Sequence, residues 1–417
     1  MVRKILKKAQ VGKKVLAEQG VLGFSIVSLQ YLQKRTRKAK IVESKGQIYT
    51  KARYEDILKA DLGKPREAWP GTGKKNLRFN WVMPPPGKGS GGHLNIFRFI
   101  KFLEDAGHEC RIYMYAPGSE APVGAVKAIM GDSYPELRAT KEMSWLYEDT
   151  HMQPAEGIFA TSWETAYPVF NSKQKAMRFY FVQDFEPYFY PAGSFYALAE
   201  NTYKMGFYGI TAGGWLSKKL SSEYGMPTEH YDFGSDKTLY FYKNKGRRKE
   251  ILFYVRPYTE RRGFEIGIMA LDLFHQKHPD YKINLVGWDV SQYSIPFPYT
   301  NLKTLELHQL NDLYNRCAAG LVLSFSNMSL LPLELLGSGT IPVVNKADNN
   351  VLVSNNEYIA YSADDPIALA DTLSQVVSRN DGPTYARKAS ESAHGADWAD
   401  SGRKFVSAVE KAVKTHE

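Results

Sequence analysis

A chain of 417 residues is longer than one ordinary hydrophobic core organises, so its length predicts two domains. The composition, 43% hydrophobic and 24% charged, is typical of a globular protein and excludes a disordered chain. No run of about 18 apolar residues is present, which argues against a membrane-spanning helix. The net charge of +10 raises the question of a nucleic-acid or membrane partner.

The positive charge is concentrated at the N terminus. Residues 1–40 contain eleven Lys and Arg and one acid, Glu18, so this segment alone carries +10. The nearly neutral remainder is unlike a basic nucleic-acid groove, and we expect no nucleic-acid partner. Apolar residues Val21–Val27 lie between two cationic clusters, which suits a helix on an anionic membrane surface. The alternative is a solvated helix that packs on the body of the protein or on another domain.

The cellular compartment follows from what the sequence lacks. No small-residue cleavage site follows an apolar core near the N terminus, so we expect no signal peptide. Cys110 and Cys317 lie far apart in apolar stretches and match no metal-ligand spacing, which indicates buried thiols in a reducing compartment. We therefore expect a cytoplasmic protein, peripheral to the inner face of the cell membrane if the basic segment binds lipid.

From about residue 76 the sequence alternates regularly between strands and helices. The stretch NLRFNWVMPP predicts a buried strand, and GKGSGG, residues 87–92, follows it as a glycine loop. Apolar residues at helical spacing then run to Gly107, and CRIYMY is the next strand. This order is the opening unit of a parallel doubly wound sheet, with the glycine loop at the carboxyl end of the first strand. Further predicted strands are GIFAT, AMRFYFVQDF, FYGITAGG and TEHYDFG.

A second series of the same kind begins at KEILFYVRP. Its predicted helices cover residues 263–276, 311–317 and 331–337, and its predicted strands are YKINLVG, LKTLEL, AGLVLSF and TIPVV. Two such series predict an α/β protein with two Rossmann-like domains facing each other across a cleft. The predicted boundaries are 1–75 for a basic helical extension and linker, 76–242 for the N-terminal domain and 243–417 for the C-terminal domain, whose last helices could cross back.

The glycine loop matches neither of two common nucleotide motifs. Lys88 precedes the glycines instead of following them, so there is no Walker motif. The spacing also differs from GxGxxG, and no acid ends the second strand. Gly91 and Gly92 could still let main-chain N–H groups approach a phosphate, or the loop could be an ordinary turn. His93 is interpreted as a substrate-side or packing residue rather than a base.

The most informative stretch of the second series is LVLSFSNMSLLPLELLGSGTIPVV, residues 321–344. Its strand is predicted to end at Ser324, and the N–H groups of the following loop and helix start would form an anion site. Glu334, in the first turn of that helix, is interpreted as a ribose ligand, with a structural pairing role as the alternative. The loop residues expected to bind substrate are Ser326, Asn327, Ser329 and Leu330.

Three arginines and one aspartate are the remaining candidates. Arg256 follows the first strand of the second series, and Arg262 and its competitor Arg261 stand before the next helix. Arginine supplies a permanent charge and forked donors that suit a diphosphate, so Arg256 and Arg262 are predicted to act in catalysis. Asp184 follows a strand of the first series and is predicted to be catalytic or acceptor-binding; orienting the backbone is the alternative. The aromatic residues 188–190 line an acceptor groove or pack in the core.

Taken together, these motifs resemble the family-4 retaining glycosyltransferases of GT-B architecture over about residues 78–415. Leu333-Glu334 and Ile341–Val344 match parts of the family pattern ExFGxxxLEAMAxGxPVV. Arg256 and Arg262-Gly263 match the family pattern GRxxxxKG with one extra residue between them. The resemblance implies a nucleotide-sugar donor, a glycan or lipid-linked glycan acceptor, and transfer with retention. It also implies no metal or cofactor, because arginines and helix dipoles stabilise the diphosphate and the chain lacks a DxD motif.

Two departures from the family pattern suggest a subgroup. Ser326 stands where the family has a glutamate that touches the donor sugar, and Gln183-Asp184 stand where many members carry a histidine. With QDFEP and RPYTERRGFE, the chain looks more like bacterial rhamnosyltransferases that build cell-surface polysaccharides from dTDP-rhamnose. A 6-deoxy sugar has one hydroxyl fewer, which is consistent with a missing carboxylate. Alternatives are a UDP- or GDP-sugar-dependent GT-B transferase and a non-catalytic glycan-binding GT-B-like protein.

Overall fold

A computed structural model of the chain describes residues 50–64, 69–88, 90–131, 133–147, 151–393 and 397–414. The chain divides into two compact units, residues 1–58 and 59–417. Helix α1, Tyr54–Lys59, begins in the first unit, where Arg53 pairs with Asp56 at an N···O distance of 3.2 Å. The predicted membrane-binding segment, residues 1–40, lies outside the described residues. Within the part that is described, none of the helices is long and apolar enough to cross a bilayer.

The second unit contains two fully parallel β-sheets. The first has seven strands in the order β3-β2-β1-β4-β5-β6-β7, and the second has six in the order β10-β9-β8-β11-β12-β13. The strands of the first sheet are β1 (Arg78–Met83), β2 (Glu109–Met114), β3 (Ser144–Trp145), β4 (Gly157–Ala160), β5 (Met177–Val182), β6 (Tyr208–Ala212) and β7 (Thr228–Tyr231). Those of the second sheet are β8 (Glu250–Tyr254), β9 (Lys282–Val286), β10 (Thr300–Lys303), β11 (Cys317–Val322), β12 (Ile341–Asn345) and β13 (Ala360–Ser362).

Helices connect most of these strands, as parallel pairing requires. They are α2 (Gly91–Asp105), α3 (Val123–Met130), α4 (Trp163–Asn171), α5 (Ser194–Asn201), α6 (Gly214–Tyr224), α7 (Phe264–Lys277), α8 (Leu307–Arg316), α9 (Leu331–Gly337), α10 (Asp348–Val351), α11 (Pro366–Val377), α12 (Gly382–Ala393) and α13 (Trp398–Lys414). In the part of the chain that the structure describes, short 3₁₀ turns cover Glu186–Phe189, Thr202–Lys204 and Glu260–Arg262.

Stacked aromatic rings form the core of the first sheet. Trp81 on β1 stacks on Phe159 of β4 at a centroid distance of 4.0 Å, and Phe159 stacks on Phe179 of β5 at 4.6 Å. All three side chains are fully buried. Gly157 is required at the start of β4, because a Cβ there would lie 2.7 Å from the ring of Phe79. Helices on both faces explain why the inner parts of these strands are largely apolar.

The last helix of the chain, α13, packs on this first sheet. The ring of Phe405 lies 4.8 Å from that of Phe99 on α2 and 6.4 Å from that of Trp81. Gly402 lets α13 approach α2 closely, since a Cβ there would lie 2.6 Å from Phe102. The chain therefore returns from the second domain to complete the layer that covers the first.

The second sheet has a largely aliphatic core, and a buried arginine closes its amino-terminal side. Arg248 donates to the main-chain carbonyls of Cys317 (3.2 Å) and Ser338 (2.9 Å), which joins the interdomain segment to β11 and to the end of α9. Helix α7 lies so close to β8 that a Cβ at Gly267 would be 2.3 Å from the ring of Phe253. The core side chains include Ile251, Phe253, Leu285, Leu321 and Val343.

The predicted α/β fold with two Rossmann-like domains is confirmed, while some element ends differ. Strand β11 ends at Val322, not at Ser324 as the sequence predicts. Ser324 leaves the ladder because its N–H donates to the side-chain Oδ1 of Asn345 at 2.9 Å. Helix α8 begins at Leu307 instead of residue 311, because Glu306 and Gln309 form a capping box there.

Candidate active site at the domain junction

The glycine loop leads into α2, whose N-cap is Ser90. The ring of His93 uses both nitrogens in this loop: Nε2 lies 3.1 Å from the carbonyl of Pro84 and Nδ1 lies 2.9 Å from Ser90 Oγ. A carbonyl only accepts, so Nε2 carries the proton and Nδ1 accepts from the serine hydroxyl. Burial lowers the pKa of His93 and favours this neutral form. His93 therefore joins the strand end at Pro84 to the N-cap of α2.

Gly91 and Gly92 lie exposed in the first turn of α2. No atom lies within 4 Å of a Cβ built on Gly91, and a Cβ on Gly92 would meet only the side chain of Gln183 at 3.6 Å. Gln183 Nε2 donates to the carbonyl of Gly92 at 3.1 Å and so connects the end of β5 to this helix start. Packing among the described residues does not require glycine at either position, which leaves their predicted role in approaching a ligand open to test. Gly89 lies outside the described residues.

Asp184 lies just beyond the end of β5 with its side chain only 12% exposed. Its Oδ1 accepts from the N–H of Phe185 (2.9 Å) and its Oδ2 from Ser326 Oγ (3.0 Å). Arg261 Nε is 3.6 Å from Oδ2. Burial raises the pKa of Asp184, whereas the charges of Arg262 and Arg261 and both hydrogen bonds oppose that rise. The predicted catalytic carboxylate is thus held by groups from both domains.

The loop after β11, residues 324–330, is here called the Ser326 loop. Ser326 and Asn327 are fully buried, whereas Ser329 and Leu330 are partly exposed beside α9. Asn327 Nδ2 donates to the carbonyls of Gln183 (3.0 Å) and Ala212 (3.1 Å), at the ends of β5 and β6. Of the four loop residues predicted to bind substrate, two therefore direct their side chains to the first domain.

The three arginines have different surroundings. Arg256 lies 5.0 Å above the ring of Tyr254 and donates to its hydroxyl at 3.1 Å. Arg262 Nη1 donates to Ser324 Oγ (2.7 Å) and to the carbonyl of Asn327 (3.3 Å), so it fixes the Ser326 loop from within. Burial lowers the pKa of Arg262, and the nearby charges of Arg261 and Arg256 lower it further.

Arg261 points the other way. Its guanidinium lies 3.9 Å above the ring of Phe189 in the first domain, beside Asp184. The 3₁₀ turn that contains both arginines ends at Gly263, which has φ +58° and whose Cβ would lie 2.9 Å from Leu323. This tight turn needs glycine and directs consecutive side chains to different domains.

Glu334 lies in the first turn of α9, as predicted, and is partly buried. Its Oε2 is 3.4 Å from the hydroxyl of Tyr314. Burial raises its pKa to about 7, and the hydroxyls of Tyr314 and Tyr240 and the charge of Arg98 oppose the rise. A carboxyl group in this environment can accept hydrogen bonds from ligand hydroxyls as it ionises.

Arg98 is a residue of the junction that the sequence analysis does not identify. Its guanidinium lies 4.0 Å above the ring of Trp398, and Nη1 donates to Asn95 at 2.7 Å. Burial lowers the pKa of Arg98, while the carboxylates of Asp236 and Glu334 raise it, so the three charges share one region. The sequence signal for Arg98 was a charged residue between the apolar residues Phe97 and Phe99. Its stacking partner Trp398 is distant in the sequence, so this contact could not be predicted.

Family models match both domains of the chain. The WsaF N-terminal domain matches residues 151–212, and the WsaF C-terminal domain matches residues 249–374. The O-antigen biosynthesis protein RfbC of Myxococcus xanthus is 31% identical over 307 residues, which make up 72% of this chain and 24% of RfbC. The chain therefore spans about a quarter of the length of this curated relative.

Solved structures share the architecture at low sequence identity. HepE (Alr3699) of Anabaena, solved in complex with UDP and glucose, has a TM-score of 0.61 and 14% identity, covering 81% of this chain and 100% of HepE. TarM has a TM-score of 0.60 and 8% identity, covering 81% of this chain and 99% of TarM. The chain therefore has the GT-B fold of two parallel-sheet α/β domains, with matches to both WsaF domain models.

Proposed function

We propose that the protein is a glycosyltransferase of cell-surface polysaccharide synthesis, which transfers a sugar from a nucleoside diphosphate donor held at the domain junction. The observation that carries the proposal is the gathering of Arg256, Arg262 and Asp184 beyond the carboxyl ends of β8 and β5, where the Ser326 loop after β11 contacts Asp184. Ligands bind outside the carboxyl ends of strands in such sheets. The proposal is supported by the crystallised complexes of HepE with UDP and with UDP-glucose, and by the name of RfbC.

The geometry suggests a division of roles. Arg256 and Arg262, with N–H groups near Ser329, Leu330, Gly91 and Gly92, would stabilise the charge that develops on the leaving diphosphate. Preorganised donors of this kind contribute about 3–4 kcal/mol each when water is excluded. Glu334 would accept hydrogen bonds from the ribose hydroxyls.

Asp184 would orient the acceptor hydroxyl, whose proton goes to the leaving phosphate. We propose transfer with retention in a family-4-like reaction, in which the leaving phosphate takes part in deprotonating the acceptor hydroxyl.

The donor we propose is dTDP-rhamnose and the acceptor a growing or lipid-linked glycan. The support is the resemblance of the sequence around Asp184 and Arg256 to rhamnosyltransferases, together with a serine at position 326. A UDP-sugar donor is the second candidate, because the HepE structure contains UDP-glucose. A non-catalytic glycan-binding protein would not need two arginines and a carboxyl at one junction, because it binds no diphosphate.

A nucleotide panel tests the proposal. The thermal unfolding of the protein is measured with dTDP, UDP, GDP and ADP. A nucleotide at 100 times its dissociation constant should stabilise the chain by about 2.7 kcal/mol. Transfer of radiolabelled sugar from dTDP-rhamnose and UDP-glucose to a glycan extract then identifies the donor. No stabilisation by any of the four nucleotides would contradict the proposal.

We also propose that the protein binds the inner face of the cell membrane through residues 1–40, whose charge stands at +10. The full chain should sediment with anionic liposomes at low salt and be released at high salt, because exposed charges are screened. Removing residues 1–40 should abolish sedimentation and leave transfer to a soluble acceptor intact. Equal sedimentation of the full chain and the shortened chain would exclude membrane binding through residues 1–40.

A further inference from the structure

Two consecutive side chains of the second domain, Ser326 and Asn327, make polar contacts with the first domain. Ser326 Oγ donates to Asp184 Oδ2 at 3.0 Å, and Asn327 Nδ2 donates to the carbonyls of Gln183 (3.0 Å) and Ala212 (3.1 Å). Both side chains are at most 1% exposed. The contact therefore fixes the main chain next to Asp184 and its carboxylate at the same time.

The orientation of the Asn327 amide is determined by its partners. Two carbonyl oxygens can only accept, so the nitrogen must face them. Its Oδ1 is then buried without a hydrogen-bond partner among the described residues. A buried amide that leaves one atom unsatisfied is unfavourable by itself, which indicates that its position is set by the contact with the ends of β5 and β6.

Most partners of the Asp184 carboxylate come from the second domain. Ser326 and Arg261 lie at 3.0 and 3.6 Å, and among the described residues the N–H of Phe185 is the partner from the first domain. Arg261 is itself held over the ring of Phe189. If the two domains separated, Asp184 would lose its hydroxyl donor and its nearest cation together.

We propose that Ser326 and Asn327 are positioning residues, which fix Asp184 from the opposite domain so that the site is complete only while the two domains are in contact. This inference rests on the proposed function, because it takes Asp184 as the group that acts on the acceptor. It also offers a second explanation for a serine, instead of a glutamate, at position 326. A glutamate there would bring another carboxylate next to Asp184, and two buried carboxylates at such a distance cannot both ionise.

Kinetic analysis of Ser326→Ala tests the inference. We expect kcat to fall about tenfold, with the KM for the donor within about twofold, because the variant removes positioning and not donor binding. Ser326→Thr, which keeps the hydroxyl, should recover most of the loss. Ser374→Ala, in which a serine of α11 loses its bond to the carbonyl of Ala370, is the matched control and should behave as the parent protein.

The pH profile separates positioning from a purely structural role. The Ser326 hydroxyl lowers the pKa of Asp184, so its loss should move the acid limb of kcat to higher pH. The other charged and titratable groups near Asp184 are Arg261, Arg262, Glu186 and Tyr203, and none of them is altered. In an Asp184→Asn background the Ser326→Ala change should no longer shift the profile.

Two results would overturn the inference. A raised donor KM with an unchanged pH profile would make Ser326 a ligand of the donor sugar. Unchanged kinetics in Ser326→Ala and Asn327→Leu would make the contact incidental. A parent protein that binds no nucleotide contradicts the proposed function, whereas a parent that binds and transfers with these variants unaffected contradicts only the positioning role.

Discussion

The glycine loop and the Ser326 loop follow interior strands of their sheets, β1 and β11, yet they differ in what they expose. Gly91 and Gly92 are exposed at the start of a 15-residue helix, whereas Ser326 and Asn327 are buried against the other domain. One loop presents main-chain groups to the junction, and the other directs side chains into it. Loops at the carboxyl ends of neighbouring strand positions in the two sheets, β1 and β8 or β4 and β11, thus differ in kind: the loop after β1 leaves main-chain groups exposed, and the loop after β11 buries side chains against the first domain.

Replacing Arg262 with Ala should disrupt the Ser326 loop. Of the substitutions considered, we expect it to lower turnover the most. The change removes a charged donor from Ser324 and from the carbonyl of Asn327, so the free energy of unfolding should fall by about 1–3 kcal/mol. Turnover should fall about a hundredfold, because the loop no longer holds its donors toward the diphosphate. Denaturant unfolding and steady-state transfer measure the two effects.

The control is Arg387→Ala, because Arg387 forms an exposed pair with Glu391 on α12 (2.7 Å) and such pairs contribute little. A larger loss of stability from Arg261→Ala than from Arg262→Ala would contradict the assignment of Arg262 to the loop.

Replacing Arg256 with Ala should separate binding from stability on the same side of the junction. Its contacts in the described structure are with Tyr254, so the unfolding transition should change little. Nucleotide affinity should fall and turnover should drop by about tenfold or more, about 1.4 kcal/mol of transition-state stabilisation. Calorimetric titration with the nucleotide and initial rates provide the measurement. Unchanged kinetics would remove Arg256 from the site.

Glu334→Gln should reveal the raised pKa of this carboxyl, about 7, through stability. In the unfolded chain the group ionises near pH 4.5, so its stabilising contribution is complete below that value and is lost as the pH rises through about 7. The glutamine variant should therefore gain on the order of 3 kcal/mol relative to the parent at pH 8 and almost nothing at pH 4.5. Denaturant unfolding at both pH values measures this. Equal differences at the two pH values would mean that the pKa of Glu334 is the same in the folded and the unfolded chain.

Gly92→Ala tests whether the glycine loop approaches the ligand, and we expect its effects to be smaller than those of the substitutions above. A Cβ there meets only a flexible side chain, and alanine favours a helix, so stability should stay equal or rise by up to about 1 kcal/mol. Nucleotide affinity should nevertheless fall about threefold if the main chain approaches the diphosphate. Gly124→Ala in α3, which also has open space, should give the stability change without the loss of affinity. An unchanged affinity in Gly92→Ala would restrict the glycine loop to a structural role.

Local patterns in the sequence were enough to predict the two sheets. Largely apolar stretches of five or six residues, such as those around Trp81 and Leu321, mark buried parallel strands, and Arg256 and Asp184 follow directly from the strand ends. The loops that form the junction could be placed in this way, because the carboxyl ends of parallel strands share one edge.

The side-chain directions inside the junction could not be predicted. Ser326 and Asp184 are 142 residues apart, and no local pattern links them. Arg261 and Arg262 are neighbours of the same type, and only the 3₁₀ turn decides which faces Phe189 and which faces Ser324. Contacts of this kind depend on tertiary packing, which overrides sequence periodicity.

The return of α13 to the first sheet has a consequence for synthesis of the chain. The last strand of that sheet, β7, ends at Tyr231, but the helix that covers its aromatic core begins only at Trp398. On the ribosome, the first domain must therefore wait for the whole second domain before its apolar face is covered. Folding in order from the N terminus, the usual course for two-domain chains, is then incomplete until α13 has been synthesised. Until that point, Phe99 and Trp81 would be a binding surface for chaperones.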